Sequence, residues 1–212
     1  MYLPSHFTEA RVPVLHEAIR ATAVGTLVTL GAEGLEASHV PMLIDPEPAP
    51  FGTLRGHIAK GNPQWNRYDG KVPALATFLG PNLYVTPSWY ETKRQTGKVV
   101  PTWNYVAVHA TGTPRFFADR EPLLDIVTRL TDLHEGRREQ PWAVTDAPAD
   151  YIDGMLKAII GFEMPIARLE GKWKLSQNRP ADDIAGVREG LAAEPGDDAA
   201  AMRALMKQDA PE

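Results

Sequence analysis

The stretch "LRGHIAKGNPQW", residues 54–65, places His57, Lys60, Gly61 and Asn62 between an alternating apolar run and a proline suited to open a helix. Such an arrangement can cradle an anion such as a phosphate. A lysine supplies charge, a glycine lets the backbone approach, and a helix N-terminus offers free N–H groups and the positive end of its dipole. By strand alternation His57 and Ala59 share one face with Arg55. A capped turn with a solvated lysine uses the same residues, so the stretch alone leaves both readings open. A second stretch, "SHVPMLI" (38–44), puts His39, Pro41 and Leu43 on one strand face. Proline inside a strand marks an edge, a bulge or a missing partner. The backbone of residues 39–41 is then free to bond a ligand, or the segment is simply an edge that resists aggregation.

Aromatic residues gather further on. "YVTPSWY" (84–90) and "VPTWNY" (100–105) bring Tyr84, Trp89, Tyr90, Trp103 and Tyr105 around one hairpin. They suit a flat ring system, where stacking adds ~0.5–1.5 kcal/mol beyond burial, and they suit a dimer interface equally well. "EGKWKLSQNR" (170–179) sets Lys172, Lys174 and Arg179 around Trp173, Ser176, Gln177 and Asn178. These donors could hold a phosphate or a partner's carboxylates, or mark a solvated strand exit. Among six histidines there is no H-E-x-x-H or related metal spacing, which argues against zinc. His16 and His134 read as residues of solvated helix faces. The sequence carries neither G-x-S-x-G nor a Walker A motif, and nothing in it nominates a nucleophile.

The elements that must position these residues follow from periodicity. Helical spacing predicts a first helix over about 9–22, with Thr8 as its N-cap. Strands are expected at 24–30 and 35–44, joined as a hairpin by "GAEG", and at 53–59 after a proline-rich connection. Asn62 should cap, and Pro63 open, a short helix over 62–68. Further strands are expected at 72–80 and 82–87 across a "GPN" turn, followed by a polar, mobile loop at 91–98. A long strand over 102–117 should bend at Gly112 or Pro114. Helices follow at 120–135 and 148–159, then a strand at 161–176. One or two helices, broken by "EPGDD", complete a tail that should fray most readily. There is no βαβαβ order and no G-x-G-x-x-G. The expected fold is mainly β with peripheral helices, a small barrel of α+β type.

The whole-chain numbers narrow the function classes. A chain of 212 residues is long enough to bury a substantial core without staples. It has no cysteine, which removes disulfides and thiolate chemistry and suits a reducing compartment. No run approaches a membrane span, and the N-terminus lacks the regions of a signal peptide, so a cytoplasmic protein is expected. The net charge of −5, from 22 basic and 27 acidic residues, is unlike that of a protein built on DNA-backbone contacts.

Read together, "MYLPSHF", "SHVPMLI", "LRGHIAKGNPQW", "FLGPNLYVTPSWY", "VPTWNYVAVHATG" and "GFEMPIARLEGKWKLSQNR" resemble, in order, the signature blocks of the PaiB-like FMN-binding negative transcriptional regulators. The resemblance implies the FMN-binding split β-barrel, a homodimer with FMN shared between its chains, and an FMN-binding domain over 1–180. That domain would carry inserted helices at about 119–158, and a helical tail would follow at 181–212. It also implies cofactor contacts. His57, Ala59, Lys60, Asn62 and Pro63 would hold the FMN phosphate, and Ser38, His39, Val40 and Pro41 would line the ring. Trp103, Asn104, Lys174 and Gln177 would close the site. Three functions fit: a flavin-dependent regulator or redox sensor, with direct DNA binding doubtful; an FMN-dependent oxidoreductase using NAD(P)H on a small molecule; and a haem-binding split barrel with His39, His57 or His109 as ligand.

Overall fold

The computed structural model describes residues 1–208, which form two compact units. One unit comprises Met1–Arg11, Leu79–Val108 and Glu170–Glu212, and the other Val12–Phe78 and His109–Leu169. In chain order the elements are β1 (Thr8–Glu9), α1 (Val12–Thr22), β2 (Val24–Gly31), β3 (Gly34–Asp45), β4 (Thr53–Ala59), α2 (Gln64–Arg67), β5 (Ala74–Val85), α3 (Glu91–Thr96), β6 (Thr102–Gly112), β7 (Arg115–Phe117), α4 (Arg120–Glu135), α5 (Ala149–Leu156), β8 (Ile159–Lys174), α6 (Ala181–Ala193) and α7 (Asp197–Gln208).

The unit containing Val12–Phe78 is built on an antiparallel sheet. β2 and β3 form the expected hairpin, with Thr26 opposite His39 and the turn closed at Gly31 and Gly34. β2 also pairs with β5, and β4 pairs along its whole length with β8, which in turn receives β7. Alternation drives this arrangement. Leu27 of β2, Met42 and Ile44 of β3, Leu54 and Ile58 of β4, and Ala74, Ala76 and Phe78 of β5 all point inward and are buried. On this sheet α1 lays Leu15 and Ile19. A satellite cluster of Leu43, Phe117, Leu123, Ile126, Leu130 and Leu156 seats α4 and α5. His16 is buried rather than solvated, because its Nε2 meets the Phe51 carbonyl at 2.9 Å. An ionic network ties β3, β4, α4, β7 and β8 together. Arg55 bridges Asp45 and Glu163, Arg129 also binds Asp45, and Arg115 also binds Glu163. Burial raises the Asp45 pKa, but the hydrogen bonds from Arg129 and Arg55 outweigh it and hold the carboxyl below its usual range.

One irregularity in this sheet matters for function. β3 pairs with β4 only from Met42 opposite Gly56 to Asp45 opposite Thr53. Beyond Gly56 the two strands part, while β4 continues on β8 through His57, Ile58 and Ala59. Gly56 sits at the fork. A Cβ there would lie 2.8 Å from the Phe162 ring and 3.0 Å from the Pro41 carbonyl, so only glycine lets the strands meet and then diverge at this point.

In the other unit, β1 pairs with the end of β8, Thr8 opposite Lys172. Val85, Tyr90, Val106, Val108, Trp173 and Leu175 are buried there. The tail packs rather than hanging loose: Val187 and Leu191 of α6 and Ala199, Met202 and Met206 of α7 are buried. Its last four residues, 209–212, lie outside those described.

Several expectations are corrected. The first helix starts at Val12, and Thr8 belongs to β1 instead of capping it. The "GPN" stretch is no turn, because residues 74–85 form one continuous strand. The polar segment after Tyr90 is helical at Glu91–Thr96, closed by Gly97 in the left-handed conformation at φ 70°. The helix after Asn62 is a single turn starting at Gln64.

Candidate functional site

The fork between β3 and β4 gathers most of the residues singled out in the first two stretches. The Asn62 amide donates to the Ser38 hydroxyl at 2.8 Å, joining the turn after β4 to β3 across the fork. Asn62 also caps the following turn, its Oδ1 accepting from Gln64 N–H at 3.0 Å. Gln64 was not foreseen as a positioning residue. It is fully buried, and its amide donates to the Leu27 carbonyl at 3.0 Å and to Thr29 Oγ1 at 3.1 Å. These bonds pin the turn to the β2–β3 hairpin. The Trp65 indole N–H closes the loop on the Lys60 carbonyl at 3.0 Å. Held in this frame, Lys60 projects its ammonium outward, with no ion pair or hydrogen bond to a described residue, and Gly61 has nothing within 4 Å of where a Cβ would stand.

His57 is the most informative member. Its Nδ1 is buried without a hydrogen-bond partner, and burial pushes its pKa below the ordinary value. A buried imidazole nitrogen left unpartnered is costly unless something fills the space beside it. His39 is exposed, with Nδ1 at 2.9 Å from Thr26 Oγ1. Val40 turns its side chain into the core, Pro41 stands exposed opposite Val24, and Ala59 and Pro63 are exposed at the mouth of the turn. The backbone of residues 39–41 is therefore open on one side only. β2 holds the other.

The helix-terminus argument weakens on this geometry. The N–H of Asn62 donates to the Ala59 carbonyl, that of Gln64 to Asn62, and Pro63 has none. A four-residue helix also carries little dipole. Charge and shape from Lys60, Gly61, Asn62, Ser38 and His57 remain. The donor set fits a phosphorylated flavin: an unpaired ammonium, an open glycine edge, and an imidazole nitrogen wanting a partner.

The remaining predicted residues lie in the other unit and divide by role. Asn104 is fully buried and exchanges hydrogen bonds with Ser176 at 3.0 and 3.2 Å. Gln177 folds onto its own strand exit, accepting from Leu175 N–H and donating to the Trp173 carbonyl, both at 2.8 Å. Asn104 ties β6 to the exit of β8 side chain to side chain, and Gln177 fixes the backbone of that exit. Trp103 is 48% exposed, packs edge-to-face on Tyr84 and donates to Asn82 Oδ1 at 3.3 Å. Lys174 donates to Thr102 Oγ1 and to the Trp103 carbonyl, both at 2.7 Å. No group of three or more metal-ligating side chains occurs among the described residues. None of their helices is long and apolar enough to cross a membrane.

Comparison with known structures defines the class first. The chain superposes on the FAD and Heme binding protein from Mycobacterium smegmatis with a TM-score of 0.58 at 16% identity, over 84% of this chain and 78% of that one. On the flavocytochrome Anf3 from Azotobacter vinelandii the TM-score is 0.55 at 10% identity, over 84% and 75%. The fold is the mainly antiparallel split barrel with peripheral helices. The chain belongs to the family described as "Putative FMN-binding domain", whose model matches residues 1–168. It is 30% identical to the Bacillus subtilis "Protease synthase and sporulation protein PAI 2" over 98% of this chain and 97% of that protein. An uncharacterized protein of Aspergillus fumigatus is 37% identical over 90% of each chain. The PaiB-like resemblance of the six sequence blocks is thereby established, and FMN is the cofactor that goes with it.

Proposed function

We propose that the protein is a flavin-dependent regulator or redox sensor that holds FMN at the fork between β3 and β4. The buried, partnerless Nδ1 of His57 and, three residues on, the Lys60 ammonium with no partner among the described residues carry this reading. Lys60, Asn62 and the open edge at Gly61 receive the phosphate. His57 and the one-sided backbone of residues 38–41 face the flavin. FMN when bound supplies one- and two-electron redox chemistry. The chain's own part is to fix the phosphate and to hold the His57 imidazole, its Nδ1 screened from solvent, against the flavin. In a homodimer, the half-exposed Trp103 and Tyr84 offer ring contacts for a flavin shared with the second chain. No nucleophile or metal is called on, and the charge of −5 favours regulation without direct DNA contact.

The test is reconstitution. The purified protein is mixed with FMN, stripped of excess and examined by visible absorbance. A flavin spectrum at one FMN per chain is expected; a protein that retains none refutes the reading. Anaerobic addition of NADH or NADPH then separates sensor from enzyme. Slow reduction without turnover on small-molecule acceptors supports the sensor, and sustained turnover supports an oxidoreductase. A second reading, haem binding, has its own observation: a buried imidazole nitrogen without a partner suits iron, and two proteins of similar fold are an FAD and Heme binding protein and a flavocytochrome. A Soret band after haemin addition that His57→Ala abolishes would establish it.

A further inference from the structure

The end of β8 holds three cations that form no ion pair among the described residues. Lys172 and Lys174 stand two residues apart on one strand, so both side chains leave the same face. Both ammoniums lie against the Tyr105 ring, at 5.4 and 5.8 Å from its centroid. Arg179 stacks on Tyr90 at 4.7 Å and is close enough to repel Lys174. Lys172 is only 8% exposed, which is unusual for an unpaired lysine. Its ammonium donates to the Tyr2 carbonyl at 3.1 Å and rests 5.4 Å from the Tyr2 ring. Lys174 donates to Thr102 Oγ1 and the Trp103 carbonyl. Every one of these acceptors is neutral. None of the three cations forms an ion pair among the described residues, and the nearby Glu170 binds the N-terminal amine. Desolvation, reinforced by Lys172 and Arg179, pushes the Lys174 pKa down.

Two ammoniums carry six N–H groups, and the acceptors above account for three. Burying cations without an opposite charge is expensive, and proteins normally supply one. Here a ligand would supply it. We propose that Lys172, Lys174 and Arg179 form a receptor for the oxyanion group of a small acid, a carboxylate or a phosphate ester. This site is built from residues other than those proposed for the FMN phosphate. Tyr105 forms one wall, its ring face held by both lysines, and the buried Asn104–Ser176 pair fixes the backbone that carries Tyr105. The anion site does not depend on the flavin reading.

The experiment titrates the FMN-loaded full chain with inorganic phosphate and with benzoate in low-salt buffer, followed by calorimetry. One site per chain is expected. Lys174→Gln and Arg179→Gln should each weaken both anions about tenfold or more, the loss that goes with one charge-assisted hydrogen bond. Lys174→Arg should restore binding, which a purely structural lysine would not show. Lys157→Ala, at an exposed lysine outside both sites, should leave phosphate and benzoate affinity unchanged. Absence of anion binding by the wild type overturns the proposal. So does loss of affinity for FMN but not riboflavin in Lys174→Gln, since that would give the cluster to the flavin phosphate. If the wild type takes no FMN, the same titrations on the cofactor-free chain still decide the anion site, while the flavin reading alone falls.

Discussion

Lys60 and His57 allow the sharpest tests at the level of single residues. The Lys60 ammonium has no partner among the described residues, so removing it breaks no contact there. Lys60→Ala should weaken FMN by roughly 1.5–3 kcal/mol, about 10–100-fold in dissociation constant, while riboflavin affinity holds. Unfolding in urea without cofactor should be unchanged, since an exposed lysine contributes little to stability. Equal FMN affinity for both proteins would place the phosphate elsewhere. His57 predicts a pH dependence. Its native pKa is depressed by burial, whereas the unfolded chain protonates near the ordinary 6.5. The unfolded state therefore binds more protons at acid pH, so stability is fully present above that value and falls as pH drops toward the native pKa. Cofactor-free wild type should lose urea resistance between about pH 7.5 and pH 5.5. His57→Gln should lose less. An identical acid loss in both would show that His57 is not buried as described.

Among the elements, glycines decide how α6 and α5 behave. Gly186 and Gly190 of α6 lie one turn apart under Trp89, and a Cβ at either position would collide with the Trp89 carbonyl or indole. Helix propensity alone favours alanine over glycine by up to ~1 kcal/mol. Here the neighbour is backbone in one case and a ring held by its own turn in the other, so overpacking should dominate. Gly190→Ala should destabilise the protein by ~1–3 kcal/mol in urea unfolding. Gly154 of α5 has nothing within 4 Å, so Gly154→Ala should stabilise by ~0.5–1 kcal/mol. Stabilisation by both substitutions would mean that α6 is not docked on Trp89. The same local logic explains what was legible in the sequence. The β2–β3 hairpin, β4, α4, β8 and the helical tail were readable because alternation or helical spacing ran over many residues. β5 was split in two because "GPN" has turn chemistry, yet Pro81 stands within a strand. α3 was missed because it is short and polar. Its one signal was Glu91 in the first turn with Lys93, Arg94 and Gly97 at the end, the pattern of a helix matched to its dipole. The site residues were visible as chemistry. Their contacts were not: Asn62 meets Ser38, and Gln64 meets Thr29, across separations of 24 and 35 residues that no local pattern encodes.

For the molecule as a whole, exposed apolar surface and net charge point to association with itself rather than with nucleic acid. Tyr84 and Trp103 stay 49% and 48% exposed although they pack on each other, and Leu79 and Val100 of the same unit are 59% and 65% exposed. A homodimer burying more than ~2,000 Å² is expected. Light scattering on the FMN-loaded protein should give twice the chain mass of 23.3 kDa at micromolar concentration; a monomer there would remove the dimer. The isolated protein should show no sequence-specific footprint on DNA at physiological salt, and any residual binding should fall steeply as salt rises.

The parting of β3 from β4 also sets a clock. In an antiparallel strand alternate amides point to opposite neighbours, so within 38–41 the N–H groups of Ser38 and Val40 face β2 and that of His39 faces the gap, Pro41 having none. In deuterated water the first two should exchange slowly in the empty protein and the His39 amide quickly. A molecule seated in the fork would slow His39 and leave the other two unaltered. Occupancy would then be readable from a single backbone hydrogen, even for a ligand that absorbs no light.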